Sequence, residues 1–175
     1  MKYTSIFYFL FLVAFISCSE GELIEDDVDF EAALNHCSNG DDFVFFKINP
    51  NADQTISLRF SSTTFDISPL AVPTDTFTVA LNTTTNQLNY REFNTSVTED
   101  YFCSSIPTST ITTTYELVGS DGTIEIDYVL KDDQDPNAVV YTRTVVIKDL
   151  TLIGNGISLR REVYELGSED VIFTN

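Results

Sequence analysis

The chain has 175 residues, enough for one domain of ordinary size. Its 27 acidic residues against 9 basic ones leave a formal net charge of −18. Such a surface repels phosphate backbones and argues against nucleic acid as a partner. With 43% apolar residues, 14 Phe and 8 Tyr but no Trp, the chain can still bury a substantial core.

The first segment decides the compartment. Lys2 supplies a positive start, and Ile6 to Ile16 forms an unbroken apolar run of 11 residues. That length fits a signal-peptide core and falls short of the roughly 20 residues a membrane-spanning helix needs. Ser17-Cys18 closes the run, a small residue directly before a cysteine, which resembles a bacterial lipobox. Residues 1–17 are then a signal peptide, and Cys18 takes the lipid and becomes the new N-terminus. Phe15 and Ile16 depart from the usual Leu and small-residue positions. Ordinary cleavage, with Ser17 and Ser19 as the small residues, is the rival and would release a soluble protein. Two or three acyl chains anchor stably, since each buried methylene contributes about 0.8 kcal/mol.

Residues 18–31 read as an acidic tether. Seven acids and no base lie between Ser19 and Glu31, a self-repelling stretch that holds a domain off a membrane. Ser19-Glu20-Gly21-Glu22 also resembles the short acidic tag of surface-displayed lipoproteins in gliding bacteria, with Gly21 interrupting it.

Residues 32–175 form one β-domain in this reading. Cys37 and Cys103 are an even pair in an exported protein, and the simplest state for them is a disulfide closing a 66-residue loop. The segment Phe30 to His36 reads equally as a helical turn or an edge strand. Phe43 to Ile48 then passes through Asn49-Pro50-Asn51-Ala52-Asp53 into Thr55 to Ser61, where Ile56, Leu58 and Phe60 alternate with polar residues. Thr76 to Leu81 and Gln87 to Phe93 repeat that layout around an Asn-opened loop. Ile111 to Val118 and Thr123 to Leu130 flank Gly119-Ser120-Asp121-Gly122, which predicts a hairpin. Val139 to Lys148, Leu150 to Ile153 and Ile157 to Leu166 follow, the last two bracketing a tight turn at Gly154-Asn155-Gly156. Arg160 and Arg161 are expected to meet acids on the outer face. Eight or nine short strands of this kind predict an all-β fold, an antiparallel β-sandwich first and an up-and-down β-barrel second.

Catalytic patterns fare poorly. His36 is the sole histidine, and no motif places a nucleophile for it. Zinc chemistry wants several His or Cys ligands, which the chain lacks. Asp133, Asp135 and Asn137 alternate as calcium-loop ligands do, but Ala138 and Thr144 stand where an EF-hand needs Gly and Glu. Asn49, Asn51 and Asp53 show the same spacing with Gln54 at the glycine position. The acid pairs Glu125/Asp127 and Glu99/Asp100 have the chemistry of a glycosidase, yet pairs arise by chance among so many acids. Tyr90, Tyr101 and Tyr115 are candidates for a sugar-stacking platform, with cross-strand packing as the plainer role.

Leu88-Asn89-Tyr90-Arg91-Glu92-Phe93-Asn94 and Tyr101-Phe102-Cys103-Ser104-Ser105-Ile106-Pro107 resemble segments of a family of uncharacterised lipoproteins from gliding, outer-membrane-bearing bacteria. Phe43-Val44-Phe45-Phe46-Lys47 and the preceding Cys37 fit the same family. The resemblance implies outer-membrane anchoring and paired cysteines, and implies no activity. Relatives with aspartate-rich calcium repeats continue from a stretch like Lys131 to Asp135, whereas this chain returns to strands.

The expectation is a non-enzymatic lipoprotein at the outer membrane, an accessory or interaction module with no cofactor. Its partners would be the membrane, through the lipid anchor, and an envelope protein. The alternatives are a ligand-binding β-domain for a glycan or calcium, and a periplasmic location.

Overall fold

A computed structural model of the protein describes residues 28–50, 53–61, 65, 72–104, 110–132 and 138–174. Strands β1 (Asn35–Asn39), β2 (Asp42–Ile48), β3 (Gln54–Ser61), β4 (Phe77–Ala80) and β5 (Asn86–Phe93) precede one short helix, α1 (Asp100–Cys103). Three long strands follow: β6 (Thr113–Asp132), β7 (Val139–Gly154) and β8 (Ile157–Phe173). All pairings are antiparallel, in the order β1-β2-β3-β5-β6-β7-β8, with β4 added beside β6. The all-β expectation holds. One sheet, curled into a half-barrel, supplies both sides of the core.

Alternation explains which side faces in. Phe43 and Phe45 of β2, Ile56, Leu58 and Phe60 of β3, and Leu88 and Tyr90 of β5 all join the main core. Ile124, Ile126, Val145, Ile147, Leu150 and Leu152 are fully buried on the long strands opposite. Each such side chain contributes about 1.5–3 kcal/mol relative to exposure. Val28 is also fully buried, its carbonyl accepting a hydrogen bond from the Tyr164 hydroxyl at 3.2 Å.

The turns follow side-chain chemistry. The Asn49 amide donates to Gln54 Oε1 at 2.9 Å across the β2–β3 turn. Asn82 Oδ1 accepts from the backbone N–H groups of Thr84 and Thr85 at 2.8 and 2.7 Å, fixing the β4–β5 loop. Asn155 (φ 48°) and Gly156 (φ 81°) make the β7–β8 turn that the glycines predicted.

Three expectations are corrected. Gly119-Ser120-Asp121-Gly122 is no hairpin, because β6 runs through it and both flanks pair with β7 (Val118 with Ile153, Thr123 with Lys148). The residues form successive bulges instead, so the strand bends without reversing. Gly119 leaves room for Leu81 at the bend: a Cβ there would lie 2.4 Å from Leu81 Cδ2, and that side chain would have to turn aside. The segments Val139 to Lys148 and Leu150 to Ile153 likewise form one strand, β7. Asp149, at φ 53°, resets the alternation there, so Ile147 and Leu150 are both buried. Nor do β4 and β5 form a hairpin with each other. At the bend β6 changes partner along one edge, pairing β5 through Thr113–Val118 and β4 through Thr123–Ile126.

Candidate functional site

The outer face of β2, β3 and β5 is the second surface of the sheet. Val44 and Phe46 point outward because Phe43 and Phe45 point in. Phe102 of α1 stacks on Phe46 with ring centroids 4.5 Å apart, and Tyr101 packs edge-on to Phe93 at 4.9 Å. The Cys37–Cys103 disulfide, with Cα atoms 5.6 Å apart, ties the helix to β1. The expected bridge is present.

Beside this small apolar cluster runs a groove of about 420 Å³. Its floor is a polar ladder set by strand register: Arg59 opposite Gln87, then Ser57 opposite Asn89. Arg91, opposite Thr55, continues it, and Tyr101 and Phe102 form a wall. Arg59 pairs with Asp42 at the groove's end, and Arg91 Nε donates to Glu116 Oε1 at 2.6 Å. The Gln87 amide nitrogen donates to the Thr83 carbonyl. Neither Asn89 nor Ser57, itself only 6% exposed, makes a side-chain hydrogen bond among the described residues.

The inner face holds a second polar group, which sequence reasoning missed. Tyr128, Arg143 and Glu169 are neighbours in the β6-β7-β8 ladder. Arg143 is 0% exposed, and its guanidinium carbon lies 4.9 Å from the Phe45 ring centroid, with Phe43, Phe65 and Tyr128 around it at 5.9–6.0 Å. Its Nε donates to Glu169 Oε1 at 2.9 Å, and His36 Nδ1 lies 2.6 Å from Glu169 Oε2. Burial pushes the Glu169 carboxyl upward, but the hydrogen bond to His36 and the charge of Arg143 outweigh it, leaving the group below the usual glutamate range. The alternation of β7 was visible in sequence; nothing local to Arg143 marked its side chain for the interior.

The remaining candidates are scattered. Tyr90 is buried in the core, its hydroxyl donating to Glu92 at 2.9 Å, and Tyr115 packs edge-on against it. Of the three tyrosines only Tyr101 lines the groove, so they form no common platform. Glu125 is held by Lys148 at 2.7 Å and Asp127 accepts from the Thr76 hydroxyl, while Glu99 and Asp100 open α1. Asp53 accepts from the Ser96 hydroxyl at 2.8 Å. Arg160 and Arg161 form no ion pair among the described residues; they line a shallow hollow of about 280 Å³ with Asp121, Asp149 and Glu162. Cys18, Asn51 and the calcium candidates Asp133, Asp135 and Asn137 lie outside the described residues. Among those described, no group of three or more His, Cys, Asp or Glu residues is arranged to hold a metal ion. No family model, curated protein or solved structure matches the chain.

Proposed function

We propose that this protein is a non-enzymatic lipoprotein of the outer membrane, anchored at Cys18, that works by binding as an accessory or interaction module of the cell envelope. The groove of the outer face carries this reading. It gathers guanidinium, amide, hydroxyl and phenol groups, yet the one carboxylate lining it among the described residues, Asp42, is already paired with Arg59. General acid–base hydrolysis needs a second carboxylate or a histidine, and none lines it among the described residues. Arg143 is enclosed by aromatic rings and held by Glu169, which is in turn held by the exposed His36, so the inner group ties strands together. The export signal, the acidic tether and a cysteine pair suited to an oxidising compartment support the location.

Labelling of growing cells with an alkyne fatty acid tests the anchor. The full-length protein is expected to take the label and Cys18→Ser to lose it. Labelled protein is expected to turn over no substrate in a broad hydrolase panel. An unlabelled wild type, or turnover that survives purification, overturns the reading.

A further inference from the structure

The groove holds more unspent hydrogen-bonding capacity than a surface hollow requires. Among the described residues, Asn89 has one acceptor and two donors unused, Ser57 has a hydroxyl, and Gln87 keeps its carbonyl oxygen free, all on adjacent rungs of one ladder. Ser57, only 6% exposed as a residue, lines the groove floor. Arg59 and Arg91 spend part of their guanidinium donors on Asp42 and Glu116, so their charge is neutralised while further N–H groups stay available. From Gln87 to Arg91 is four residues of extended strand, about 13 Å.

We propose that this groove is a subsite for a neutral, hydroxyl-rich oligosaccharide lying along β3 and β5, with one sugar face against Tyr101. The proposal rests on the reading that the protein works by binding. Charge selects the class. An anionic ligand would enter the field of a chain of net charge −18 to reach guanidiniums that already have counter-ions. A cation would meet those guanidiniums. Sugar hydroxyls both donate and accept, which suits amides, a serine and arginine–carboxylate pairs at once. The C–H face of a sugar ring suits an aromatic wall with a polar tip. The length of the floor favours several linked sugars over one.

The test uses full-length protein in detergent, applied to immobilised starch, xylan and mixed-linkage β-glucan, and to the acidic polymers alginate and polygalacturonate. Retention is expected on at least one neutral polymer, with release by soluble oligosaccharides cut from it. Asn89→Ala is expected to weaken retention at least tenfold, and Asn89→Trp, which fills the groove, to abolish it. Gln87→Ala replaces any Asn89 variant whose melting temperature departs from wild type. Absence of retention on every neutral polymer, retention indifferent to these variants, or stronger retention on the acidic polymers overturns the proposal. Fatty-acid labelling of the same preparation reports separately on the lipoprotein reading.

Discussion

His36 Nδ1 lies 2.6 Å from Glu169 Oε2, so an ionisable contact joins the first strand of the sheet to the last. Arg143 completes the group from within. Because the Glu169 carboxyl is held below its ordinary range in the folded protein, its contribution to stability is fully present above the ordinary glutamate pKa. It fades as pH falls through the depressed folded value. Glu169→Gln is therefore expected to lower the melting temperature at neutral pH. The gap to wild type narrows as pH falls below the ordinary glutamate range. Thermal melts of both proteins across pH 3–7 check this; a gap that is constant with pH contradicts it.

Removing one member of a buried ion pair leaves the other uncompensated, at a cost of about 3–5 kcal/mol. Arg143→Met and Glu169→Leu are each expected to destabilise on that scale. The double variant is expected to recover much of the loss, since the aromatic box around Arg143 accepts an apolar chain. Urea denaturation of the four proteins gives the coupling; additive losses would contradict it.

The disulfide closes a 66-residue loop, worth about 4 kcal/mol in the chain-entropy account. Replacing both Cys37 and Cys103 by Ser is expected to lower stability by up to that amount and to loosen the Phe102 wall of the groove. Denaturation midpoints with and without reductant measure the first effect. Hydrogen exchange at Tyr101 and Phe102 measures the second.

Two glycines separate space from backbone geometry. A Cβ on Gly154 would lie 2.1 Å from the Glu116 carbonyl oxygen, whereas one on Gly40 meets nothing within 4 Å. Gly154→Ala is expected to cost about 3 kcal/mol or more, because backbone cannot step aside. Gly40→Ala is expected to cost about 1 kcal/mol, the penalty of a side chain at φ +64°. Comparable losses in the two melts would sink the distinction.

Alternation made β3 and β5 legible almost to the residue, because apolar side chains alternate with polar ones and a polar loop closes each. Strand β2 was legible as an apolar run bounded by turn residues, and both its faces are buried. The bend at Gly119–Gly122 was misread for a tertiary reason. A glycine-rich quartet between apolar runs suits a hairpin equally well, and only the unbroken partner β7 decides for a bulged strand. The groove was half legible. Tyr101 was a candidate, but Ser57, Asn89 and Gln87 became neighbours only through the β3–β5 register. Arg143 looked like any charged residue on an alternating strand; its partners lie 26 residues away on β8 and, through Glu169, on β1.

The final strand has consequences for life in a crowd. Among the described residues β8 is hydrogen-bonded to a strand on one flank only; Leu34 and His36 approach it at Gly167 and Glu169, and the outer rim of its first half has no strand beside it. Arg160, Arg161 and Glu162 stud that rim, and a register shift at Leu166 breaks its straight line. A strand from an adjacent molecule trying to zip alongside would meet charge and then a kink. Many copies can thus stand close together without fusing into fibres.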